Sequence, residues 1–181
     1  MSNERTERPT NEQRDGMVSA VARIAADSEL YDVRTIGTYA RLHADAPDVG
    51  TPLTAGLSIN LNCQLVENEL RVIGKFEVKA HAEGKPKRDS FFTANLHLVA
   101  YYRVHPGLEF NDEKLQAFAS TNGMVHLWPY FRAFVQQTCG QFAIPAIVMP
   151  PFRVNQPFKN LRYASNEGDV PGPTVDPLAP E

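Results

Sequence analysis

Leu53-Thr54-Ala55-Gly56-Leu57-Ser58-Ile59-Asn60-Leu61-Asn62-Cys63-Gln64-Leu65 alternates apolar or small residues with polar ones along its whole length. Successive side chains of a strand point to opposite faces, so this stretch makes a strand with one dry and one wet face. The pattern returns twice. Leu70, Val72, Gly74, Phe76, Val78, Ala80 and Ala82 alternate with Glu69, Arg71, Ile73, Lys75, Glu77, Lys79 and His81. Phe92, Ala94, Leu96, Leu98, Ala100, Tyr102 and Val104 alternate with mostly polar partners. The links 66–68 and 84–87 are short enough for hairpins, which predicts an antiparallel meander. Each run greatly exceeds the usual strand of about 5–6 residues, so a broad open sheet is expected rather than a compact sandwich. The third run carries Phe91, Val99 and Tyr101 on its wet side, and part of that face is expected to be covered by another chain or a ligand.

Working outward, residues 31–44 form a fourth β-rich stretch with broken parity. Val33 and Tyr39 share one side and Ile36 and Leu42 the other, which places a bulge near Gly37. Ahead of it, Met17, Val21, Ile24 and Ser28 recur at helical spacing, predicting an amphipathic helix over 17–30. On the other flank, Asn111 or Asp112 can cap a helix through Leu115, Phe118 and Ala119 that ends at Gly123. A second helix carries Leu127, Phe131, Phe134, Val135 and Thr138, with Pro129 in its first turn and Gly140 at its end. The proline-broken run 144–152 reads as an extended crossing segment, and a last helical turn is expected around Phe158 to Tyr163. The fold class is therefore α+β, with a four-stranded antiparallel sheet of long strands and helices packed on one face.

The organisation expected is one folded domain, 16–163, with the helix 17–30, the sheet 31–104, and helices plus crossing segment over 111–163. A mobile arm, 1–15, precedes it, charged and almost devoid of apolar residues. A disordered acidic tail, 164–181, follows with four prolines. That tail holds Glu167, Asp169, Asp176 and Glu181 and no Lys or Arg, so the formal charge of −3 is concentrated there. The rest carries no strongly basic footprint for nucleic acid or a membrane surface. At 181 residues, 43% hydrophobic and 22% charged, the chain has a globular composition. It has no run of 18 apolar residues to cross a membrane, and its start has no apolar h-region. Two cysteines, Cys63 and Cys139, exclude a disulfide framework and fit a reducing, cytoplasmic setting.

Catalytic motifs are missing. The sequence has no Walker loop, no dinucleotide glycine fingerprint, no nucleophile elbow and no H-E-x-x-H. His43, His81, His97, His105 and His126 lack metal-ligand spacing. Cys139 reads as a packing residue, Glu67, Glu69, Glu77 and Glu83 as solvated charges, and Lys85-Pro86-Lys87-Arg88 as a solubilising hairpin tip. No metal, no cofactor and no enzymatic activity are expected. What the sequence has in excess is apolar surface: ten Phe, six Tyr and one Trp, concentrated in the third alternating run and 118–163. These residues either fill the core and an oligomer interface, or leave a persistent groove that accepts apolar polypeptide.

Leu127-Trp128-Pro129-Tyr130-Phe131-Arg132, followed after twelve residues by Pro145 and after five more by Pro151, resembles the signature of the SecB export-chaperone family. The similarity extends over residues 31–158. It implies sheets that pair as a dimer, and dimers that join through helices into a homotetramer. It also implies an ATP-independent holdase that binds unfolded or slowly folding proteins in apolar grooves, preproteins for export or an antitoxin under protection. On that footing the client-binding groove is expected at Leu57, Ile59, Leu61, Trp128, Phe131, Ile147, Met149 and Phe152. The acidic strand positions through which the export family docks the SecA motor fall here at Ala40, Ala44 and Ala94, which argues against SecA as a partner. That loss and the helix before the first strand are more similar to the solitary SecB-like chaperones of toxin–antitoxin systems. The rival reading is a small-ligand-binding or hotdog-like enzyme domain, which requires an Asp, Glu or His facing an apolar tunnel.

Overall fold

The computed structural model describes residues 11–44, 46–48, 51–153 and 161–163. Helix α1 (Asn11–Ala26) leads into strand β1 (Ser28–Leu42), and then come β2 (Leu53–Val66), β3 (Glu69–Ala82) and β4 (Phe92–Val104). Helices α2 (Asp112–Phe118) and α3 (Met124–Gln141) follow, and β5 (Leu161–Tyr163) closes the described chain. The sheet order is β1-β4-β3-β2-β5. β2, β3 and β4 form the expected antiparallel meander, and β1 adds antiparallel to β4.

Strand parity holds through β2, β3 and β4. Leu70, Val72, Phe76, Val78, Phe92, Ala94, Leu96, Leu98, Ala100 and Tyr102 are all buried on the helix side. β1 gains two bulges relative to β4, one between Leu30 and Asp32 and one between Thr35 and Gly37. The second is the bulge that its broken parity predicts; the first, at Tyr31, moves the helix side from Ser28 and Leu30 to Val33 and Thr35, at the very start of the stretch read as β-rich. Across the hairpin of β2 and β3, Glu67 takes a φ of 57°.

Four expectations at the element ends are corrected. The first helix runs 11–26 rather than 17–30, because Ser28 and Leu30 pair with Val104 and Tyr102 of β4. This helix takes in residues 11–15 of the expected arm; residues 1–10 and the tail 164–181 lie outside the described residues. Of the expected last helical turn, 158–160 lie outside the described residues, while Leu161–Tyr163 is a strand running parallel to β2. The third correction is at Gly123, which does not terminate a helix. Asn111 caps α2 as expected, its side chain accepting from the Lys114 N–H at 2.9 Å. The chain then passes through a wide π-turn, Ala119–Gly123, directly into α3, and Gly123 stays right-handed at φ −56°. Its role is steric, since a Cβ there would lie 2.6 Å from Val72 Cγ1. Pro129, fourth, therefore sits inside α3 rather than in its first turn. It faces solvent, where the carbonyl it leaves unpaired can be hydrated.

α3 lies across the sheet on an aromatic stack. Phe131 lies 5.0 Å from Phe76 and Trp128 5.7 Å from Phe131, centroid to centroid, while Phe118 meets Tyr102 edge-on at 5.1 Å. α3 ends in a Schellman arrangement: Ala143 N–H donates to Gly140 O and Ile144 N–H to Cys139 O, with Ala143 left-handed at φ 52°. That turn sends the chain back over the sheet as the crossing segment, 144–153.

Candidate functional site

β2 is covered unevenly. Ile59, Leu61 and Cys63 are buried, whereas Leu53 and Leu57 are half-buried and Ala55 is exposed. The reason is the reach of α3. Its aromatic contacts on β3 stop at Phe76, which pairs with Ile59. Beyond that point the sheet is roofed by the crossing segment, whose Ile147 and Met149 turn inward while Val148 is 81% exposed.

Between this roof and β2 lies an open groove of about 650 Å³. Leu53, Ala55 and Leu57 form its floor together with Val78 of β3, and Thr51 stands at its mouth. Pro145, Ala146, Ile147, Val148, Met149 and Pro150 form the wall. Among the described residues, no carboxylate, imidazole, ammonium or thiol lines it. Such a surface can accept apolar side chains but offers nothing to move a proton or attack a carbonyl.

The wall is held in place by side chains the groove does not contain. The Trp128 indole N–H donates to Pro150 O at 2.9 Å. Three prolines in the segment limit its backbone freedom.

Of the eight residues expected at the groove, Leu57, Ile147 and Met149 line it. Ile59, Leu61, Trp128 and Phe131 do not; they are buried between the sheet and α3, each at most 2% exposed, and back the groove from inside the core. Phe152 is partly buried against the same core. The aromatic surplus is thus mostly interior, and the open surface is aliphatic. Leu53 and Ala55 were missed, although they belong to the same alternating run as Leu57.

The opposite face of the sheet mixes polar and aromatic side chains. Arg34 and Arg71 lie over the Tyr101 ring at 5.2 and 5.8 Å, and Arg103 over Tyr31 at 5.3 Å. Phe91 and Val99 are each 5% exposed. Beside them on β1, Tyr31, Ile36 and Tyr39 remain exposed. The Tyr31 hydroxyl donates to Glu69, which also accepts from Arg71 at 2.6 Å. These hydrogen bonds hold the Glu69 carboxyl below its ordinary range, that from Tyr31 contributing most. Ala40 and Ala94, two of the positions weighed for SecA, are register partners on the helix side, with Ala94 fully buried.

The buried ionisable groups are structural. Burial pushes the Cys63 thiol up to about 12 and raises Cys139 as well. Burial also lowers His126, whose Nδ1 is 2.8 Å from the Tyr102 hydroxyl. Among the described residues, no group of three His, Cys, Asp or Glu is placed to hold a metal, and no helix is long and apolar enough to cross a membrane.

Comparison with known proteins gives the following. No family model matches the chain. The SecB-like chaperone Rv1957 of Mycobacterium tuberculosis strain H37Rv is 26% identical over 148 residues, covering 71% of this chain and 79% of that protein. SecB-like chaperone MT2006 of strain CDC 1551 matches to the same extent. Among solved structures, Rv1957 in complex with a ChAD peptide from the Rv1956 HigA1 antitoxin superposes with a TM-score of 0.66. That match has 24% identity and covers 76% of this chain and 99% of the other. The chain is thus similar in sequence to SecB-like chaperones and shares the fold of the Rv1957 structure, in line with the resemblance of its L-W-P-Y-F-R stretch.

Proposed function

We propose that this SecB-like chain is an ATP-independent holdase of the bacterial cytosol that holds an extended apolar segment of a non-native polypeptide, an antitoxin being the favoured client. The observation that carries this is the groove between β2 and the crossing segment: open and, among the described residues, lined by aliphatic side chains with no charge. A chaperone site has to accept many side chains at moderate affinity, and an uncharged groove with one flexible Met149 does so. Burying each Leu-sized client side chain contributes about 1.5–3 kcal/mol before ordering costs. One segment therefore binds weakly. Several segments on a dimer of dimers, the assembly this reading requires, bind tightly through effective concentration.

Client choice is argued from two points. The H37Rv relative has been solved with an antitoxin peptide bound, which supports a client of that kind here. The SecA-dependent export version needs acidic positions that are Ala40, Ala44 and Ala94 in this chain, and Ala94 is fully buried. Among the described residues, the groove holds no acid or base of the kind the enzyme alternative requires.

The test is light scattering of a denatured reporter with added protein. Suppression at stoichiometric amounts without nucleotide is expected. No suppression at any ratio would remove the holdase reading. Co-expression with antitoxins then separates one dominant partner from many precursors.

A further inference from the structure

The groove does not end at Leu57. β2 continues past it as an edge strand, and on that edge, at Ile59, Asn60 and Leu61, the chain's own β5 is paired in parallel as Leu161, Arg162 and Tyr163. β5 is the only strand on that edge among the described residues. The edge on either side of it, at Leu53–Ser58 and at Asn62–Val66, has no strand partner among the described residues. The groove floor and the paired edge are therefore consecutive stretches of one straight, unbulged strand.

We infer that the free edge of β2 is the second half of the client site: an extended client adds to it as a parallel strand, places alternate side chains in the groove, and displaces β5. This rests on the holdase reading and supplies its binding mode. A strand added to a sheet edge gains main-chain hydrogen bonds whatever its sequence, while the adjoining pocket selects every second side chain. That combination explains how a groove without charges holds diverse segments in a fixed direction. The client it selects is an extended stretch of about nine residues, roughly 30 Å long, spanning the edge from Leu53 to Leu61. It carries apolar residues at alternate positions and no proline where its N–H must face β2. A three-residue strand makes few bonds, so β5 shields the edge from unwanted pairing yet yields to a longer strand.

Two measurements on the full-length protein test this. The first uses a fluorescent twelve-residue peptide of alternating Leu and Thr, together with two versions N-methylated on every second backbone nitrogen, on opposite parities. Methylation on the parity facing β2 is expected to weaken binding at least tenfold and on the other parity less than twofold. The second compares the protein with its Leu161→Pro, Arg162→Pro double variant, in which whichever amide faces β2 is lost. Peptide affinity is expected to rise about fivefold, and hydrogen exchange at Ile59–Leu61 to quicken in the free variant and slow again with peptide. Equal binding of both methylated peptides overturns the edge-pairing mode while leaving the holdase reading intact, since the peptide still binds. Unchanged affinity in the double variant overturns the displacement of β5. A parent peptide that does not bind, from a protein that does not suppress aggregation, overturns both.

Discussion

The Trp128 indole N–H reaches the Pro150 carbonyl at 2.9 Å and so fixes the crossing segment, the wall of the groove, to the middle of α3. Trp128 itself is 2% exposed and touches Phe76 and Phe131. Its contribution to binding is to position Met149 and Ile147, not to meet a client. Trp128→Phe keeps an aromatic ring but loses the donor and some volume. It is expected to cost about 1–2 kcal/mol of stability, read from the urea midpoint. Affinity for an apolar peptide should fall several-fold because the wall is no longer pinned. Unaltered peptide affinity would show the wall to be held by other contacts.

Val148 separates function from stability. It is 81% exposed on the outer turn of the wall, yet lines the groove. Val148→Asp is expected to change stability by less than about 0.5 kcal/mol. It should weaken peptide binding about fivefold or more, near 1 kcal/mol, by bringing a charge to an uncharged groove. Titration of the same peptide against both proteins checks this.

Two glycines of one helical run should respond with opposite sign. A Cβ at Gly123 meets Val72 Cγ1 at 2.6 Å, whereas one at Gly140 has nothing within 4 Å. Gly123→Ala is expected to destabilise by about 1–3 kcal/mol, because α3 must lift off β3. Gly140→Ala should stabilise by about 0.5–1 kcal/mol through its better helix propensity. Denaturant midpoints of the two variants decide.

Stability should fall on mild acidification through His126. Burial lowers its folded-state pKa below the ordinary 6.5 of the unfolded chain. Between those two values the unfolded state binds the proton and the folded state does not, so stability is complete above about pH 6.5 and declines below it. The decline levels off once the folded protein is protonated too. His97 is shifted the same way, by burial and then by Lys75, and adds to the effect. His126→Asn should reduce the loss measured between pH 7.5 and 5.5, leaving the His97 part. An identical pH slope in variant and parent would exclude this role.

The sheet was legible because its decisive signal is local: period two in residues 53–104 survives without knowledge of any neighbour. Gly123 and Pro129 were misread for the converse reason. Capping rules assign both to helix ends, whereas the group that requires glycine at 123 is Val72 on another element. Trp128 and Phe131 looked like a surplus because the sequence does not show Phe76 beneath them. The groove was half visible. Leu57, Ile147 and Met149, expected at a groove, do line the open one, but the exposure of Leu53 and Ala55 depends on where α3 stops, which is a matter of helix placement rather than composition. β5 carried no usable alternation in three residues.

The two rims of the sheet are not equivalent. Along β1 the ladder is interrupted twice, at Tyr31 and Ile36, so a stray polypeptide meeting that rim finds only brief stretches in register before the zigzag slips. β2 has no such interruption. A holdase of the kind proposed faces the hazard of being recruited into the aggregates of its clients. On that reading, roughening one border while keeping the other smooth would direct such chains to a single place on its surface and deny them a second from which fibrous growth could start.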